Sequence, residues 1–186
     1  NWSKEEHTSL EVALSEKEYV RKSVEMITAE DFTLEDDSNG DIKSALDFYI
    51  KKCENASIIK NVRERINEML TIDYLTGNYD RHWKNFSVLR DADTLDIIDL
   101  APIYDNDRAF SYSSDSNYMV GGMTVDKLVN VIENNKITKL SVEEFEKKIS
   151  LLNSVDTRDT YDIREKYSEI IRRFKILKEK LIKAGE

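Results

Sequence analysis

The chain has 186 residues, with 28 basic and 37 acidic side chains and a net charge of −9. A chain of this length suits one domain, or one compact lobe plus extras, that buries roughly 70% of its unfolded surface, and its acidity repels a phosphate backbone, so no direct nucleic-acid binding is expected. One cysteine, Cys53, excludes a disulfide framework and a multi-thiolate zinc site and fits a reducing, cytoplasmic compartment; no apolar run nears the roughly 18 residues of a membrane span, so no membrane partner is expected.

In chain order, residues 15–27 combine a capping-box pattern (Ser15, Glu18) with an apolar stripe of Tyr19, Val20, Val24 and Ile27, which predicts a short helix. Residues 29–41 read as an acidic, solvated loop. Ile42, Ala45, Leu46, Tyr49 and Ile50 mark a second helix, with Cys53 a core residue near its end. Residues 57–77 give the strongest helical pattern, with Ile58, Ile59, Val62, Ile66, Met69 and Leu70 in register and Gly77 as its C-cap. "FSVLR" and "LDIID" on either side of "DADT" predict a hairpin. Pro102 then holds Ala101 extended, residues 111–117 read as a polar loop, and Gly121 and Gly122 mark a turn. Three helical patterns follow, over 124–133, 141–153 and 157–183, the second opened by a capping box at Ser141 and Glu144. The fold class is mainly α with one small β-hairpin.

Two polar joints, residues 78–85 and 104–107, flank the hairpin, which brings Asn85 and Asp105 to one side. Phosphoryl transfer needs a carboxylate beside the attacking hydroxyl and oxygen ligands for Mg²⁺. Asp80 suits the first role, and Asn85 with Asp105 suits the second. The same residues also allow plainer readings. Asp80 could pair with Arg81 or Lys84 in an ordinary turn, His82 could be a hydrogen-bonded structural histidine, and Trp83 could be packing. Asp99 is a rival ligand that reads as a strand end.

The stretches "GNYDRHWKNFSVL" and "LAPIYDND", with 20 residues from Asn85 to Asp105, resemble the catalytic loop and metal-binding segment of the HipA-like serine/threonine kinases. The resemblance implies the helical C-terminal lobe of a kinase-like fold over residues 41–186, with residues 1–40 as a helix and acidic loop at its edge. It implies ATP and Mg²⁺ as cofactors. Asp80 would be the catalytic base, with His82 beside it bracing the loop or touching the γ-phosphate. His82 and Lys84 would contact the nucleotide, Asn85 and Asp105 would bind the metal, and Arg81 would be a loop-bracing charge. The substrate would be a protein Ser or Thr hydroxyl. Some relatives are toxins paired with a small DNA-binding antitoxin, and others act alone.

None of the five glycines forms a glycine-rich nucleotide-covering loop, and the chain starts at Asn1. The expectation is therefore a C-terminal lobe without its N-terminal lobe, either shortened or naturally split, and inactive alone. The alternatives are a non-catalytic helical interaction module or, less favoured by the acidic balance, a phosphoinositide-kinase-like lipid kinase lobe.

Overall fold

The computed structural model describes residues 23–33, 42–56, 59–110, 125–132, 136–151 and 163–185. The element order is β1 (Val24–Thr28), α1 (Ala29–Phe32), α2 (Ile42–Asn55), α3 (Val62–Thr76), β2 (Ser87–Asp91), β3 (Ile97–Leu100), α4 (Val125–Val131), a 3-10 turn (Lys136–Lys139), α5 (Val142–Ser150) and α6 (Ile163–Gly185). The loop over 111–117, the glycine turn at 121–122 and the N-terminal parts of the first and last predicted helices lie outside the described residues.

The hairpin forms as expected but is not alone. β1 adds to it, giving a three-stranded antiparallel sheet in the order β1-β2-β3. This corrects the helix expected over 15–27, since Val24–Thr28 pairs with β2 from Val24↔Asp91 to Thr28↔Ser87. Periodicity favoured helix, but the segment also alternates and carries β-branched residues, and the open edge of β2 offers it a hydrogen-bonding partner. The sequence after it is not all loop either. Ala29–Phe32 makes one helical turn, started by Thr28, whose hydroxyl accepts from the Asp31 amide at 3.1 Å.

The strong helix starts later than its pattern implied. Asn61 takes a left-handed conformation (φ 59°), and α3 begins at Val62, although Ile59 just before it is buried. Gly77 ends α3 as predicted, at φ 68°, where a side chain would add strain. The Ser141–Glu144 capping box is present, with both amide bonds made.

Burial explains the packing. Tyr49, Ile50 and Cys53 of α2 face Ile66, Leu70 and Tyr74 of α3 in one core that includes Val88 and Leu100 of the sheet. α6 closes the other side, packing against α3, α4 and α5, with Phe174 stacked on Phe145 at 4.0 Å. The loop between α3 and β2 thus leaves a buried helix end and enters a buried strand, so both its ends are anchored.

Candidate active site

The loop over 78–86 is built by short-range hydrogen bonds. The Asn78 amide donates to Asp73 O, and its side chain donates to Asp73 Oδ1, both at 2.9 Å. Asn78 Oδ1 in turn accepts from the Asp80 amide at 3.3 Å. Farther on, the Asn85 amide donates to His82 O at 2.8 Å, and Asn85 Nδ2 donates to Asp80 O at 3.0 Å. His82 braces the same turn, its Nδ1 accepting from the Lys84 amide at 3.3 Å.

These bonds leave the Asp80 side chain exposed. The turn-type ion pair is not what forms. Arg81 goes to Asp73, and Lys84 lies 3.5 Å from Glu30. Among the described residues no cation pairs with the Asp80 carboxylate.

Arg81 is the hub, fully buried, and all five of its N–H donors are used. Nε and Nη2 donate to the two Asp73 oxygens at 2.8 and 3.0 Å. Nη1 donates to Asn85 O at 2.6 Å and to Tyr104 O at 2.7 Å, and Nη2 also donates to Asn106 Oδ1 at 2.6 Å. One guanidinium therefore joins α3, the loop and the segment after β3. Tyr104 adds a second link: its hydroxyl donates to Lys84 O at 2.7 Å and accepts from Ser87 at 2.6 Å.

Asp105 sits between two of these anchors. It is exposed and left-handed, with φ 55°, a conformation that Asp tolerates better than most L-residues. Asn85 is buried, and with its amide nitrogen engaged on Asp80 O, Oδ1 is the atom left to accept or ligate. Asp99, the rival ligand, pairs with Arg65 and accepts from the Leu100 amide at 2.8 Å, so it is a strand-end residue. Trp83 is packing: its ring lies 5.3 Å from Phe86 and 6.2 Å from Tyr49.

Among the described residues no group of three or more His, Cys, Asp or Glu could hold a metal by itself. An amide oxygen and one carboxylate are the set Mg²⁺ accepts when phosphate oxygens and water complete its shell. The residues therefore fit a nucleotide-borne Mg²⁺ and do not fit an all-protein metal cage.

Sequence reading passed over Asp73, Asn78, Tyr104 and Asn106. Asp73 carried a signal: it falls on the apolar stripe of α3, between Leu70 and Tyr74, where an acid needs a buried partner.

In three dimensions the chain resembles the crystal structure of a Helicobacter pylori proinflammatory kinase, CtkA, with a TM-score of 0.59 over 91% of this chain and 76% of that one. Sequence identity is 14%, so the likeness is one of fold. No curated protein matches the sequence. The HipA-like C-terminal domain family matches residues 21–178, a span that holds the loop, the sheet and Asp105. On that match the chain belongs to the HipA-like C-terminal domain family.

Proposed function

We propose that this chain carries the catalytic loop and metal ligands of an ATP- and Mg²⁺-dependent kinase acting on a protein Ser or Thr hydroxyl. The observation that carries the reading is an exposed Asp80 carboxylate, paired with no cation among the described residues, on the loop that also bears Asn85, with Asn85 and Asp105 on segments locked to one buried guanidinium. Asp80 orients the substrate hydroxyl and takes its proton as the oxygen attacks the γ-phosphorus and ADP leaves. Asn85 and Asp105 would hold a Mg²⁺, whose charge would offset that of the phosphate oxygens. His82 and Lys84, exposed on the same loop, would meet the nucleotide in this reading.

The sequence holds no glycine-rich loop, so in this reading another segment or a separate N-terminal lobe covers the nucleotide, and the 186 residues alone transfer phosphate poorly. The single cysteine supports a reducing, cytoplasmic setting, and a small DNA-binding antitoxin is a candidate partner. Among the described residues no helix is long and apolar enough to cross a membrane.

Calorimetry with Mg²⁺-ATP tests the reading. The expected result is weak, magnesium-dependent binding that drops at least about tenfold in Asp105→Ala and persists in Asp80→Ala. Binding that ignores magnesium and Asp105, or no binding, returns the chain to the class of helical interaction modules.

A further inference from the structure

We infer that Arg81, anchored by Asp73, is the positioning residue that holds Asp105 in its left-handed conformation and fixes it in one frame with Asn85. The inference rests on the reading above that these two residues ligate the metal.

The geometry is specific. Tyr104 O belongs to the peptide bond entering Asp105, and it accepts from Arg81 Nη1 at 2.7 Å. Asn106 follows Asp105, and its side chain accepts from Nη2 at 2.6 Å. The backbone carbonyl before Asp105 and the side chain after it are thus tied to two nitrogens of a single planar group. The strand-to-loop segment uses no glycine there; Asp enters the left-handed region more readily than most L-residues, and contacts that fix both its neighbours select that conformation. Here the selecting group is a side chain 24 positions earlier in the chain.

The same Nη1 also donates to Asn85 O at 2.6 Å. Both ligands are therefore referred to one nitrogen. Arg81 cannot drift, because Nε and Nη2 grip Asp73 and the side chain is wholly buried. Lysine could keep the charge opposite Asp73, but its point-like ammonium has three donors and no planar fork, so it cannot serve five acceptors in this arrangement.

The test compares the wild-type chain with Arg81→Lys and Asn106→Ala. Two readouts are used: the ¹³C chemical shifts of Asp105, which report its left-handed backbone without any ligand, and the affinity for Mn²⁺ in the presence of ATP. In folded Arg81→Lys the left-handed shift signature is expected to vanish and Mn²⁺ affinity to fall about 10- to 100-fold, the usual effect of removing a group that orients a ligand. Asn106→Ala, which removes one part-buried contact, shows the same changes at smaller size and carries the test if Arg81→Lys does not fold. A purely structural Arg81 would lower the melting temperature and leave both readouts in place. Unchanged Asp105 shifts and Mn²⁺ affinity in the variants overturn this inference alone. A wild-type chain that binds no Mn²⁺ with ATP overturns it together with the kinase reading.

Discussion

Cys53 and Tyr49 stand one helical turn apart on the buried face of α2, and burial dominates the chemistry of both. It pushes the Cys53 thiol up to about 12, so the thiolate that reacts with disulfides or alkylating agents is scarce at neutral pH. The Tyr49 hydroxyl has no nitrogen or oxygen partner among the described residues, while its ring meets Phe86 edge-on at 5.3 Å. The native protein should therefore resist an aromatic disulfide reagent at pH 8, and labelling should track unfolding in urea. Labelling of the folded chain at the rate of a free thiol would show that the α2 face opens. At this scale the sequence was legible where chemistry is local. The two short polar stretches that hold Asp80, Asn85 and Asp105 do fold as irregular segments on either side of the hairpin, with Asp80 and Asp105 exposed and Asn85 buried. The pairing of Asp73 with Arg81 was not legible, because Arg63, Arg65 and Lys84 are also close in the chain. Only the fold separates them, sending Arg63 to Asp47, Arg65 to Asp99 and Lys84 toward Glu30.

Among the elements, α6 has the clearest titration behaviour. Glu169 accepts from Arg172 and from the buried Arg173, and these hydrogen bonds, Arg172's first, hold its carboxyl below the usual value of 4.5. A carboxyl with a depressed folded value binds protons more readily when unfolded. Its stabilising contribution is complete above that usual value and is lost as pH falls through the folded one. Melting temperatures measured from pH 7 down to pH 3 should show Glu169→Gln less stable than wild type at neutral pH, with the gap closing in acid. A gap that stays constant across the series would mean that Glu169 is not the titrating group. β1 shows where element reading from sequence stops. Val24 and Ile27 satisfy a helical spacing, and Val24, Met26 and Thr28 satisfy a strand spacing equally well. The choice was made by the free edge of β2, which lies about 60 residues away and is invisible to any local window. α5 shows the opposite case, since its Ser141–Glu144 box is a local device and reads directly from the chain.

At the scale of the molecule, α6 is the spine that supports the base of the loop. Arg173 donates to Tyr74 O at 2.9 Å, just before Gly77 releases the chain into the loop. Leu177, fully buried one turn on from Arg173, packs this helix into the core. Leu177→Ala should cost about 2–5 kcal/mol in urea unfolding, the range for a truncated core leucine. A cost near zero would mean that α6 is not part of the cooperative unit. The sheet that carries the loop has a different consequence, one of timing. β1 is synthesised before its partner, and among the described residues it has no other strand to pair with until Ser87–Asp91 has been made. At ~5–20 residues per second that wait lasts roughly 3–12 s. Throughout it, a strand bearing Val24 and Met26 presents two bare edges, and each is a template for another nascent chain. What shortens the hazard is the folding of α2 and α3 in the interval, which shrinks the loop that β1 must close. The yield of folded protein in a crowded cell should thus depend on how fast these two helices form.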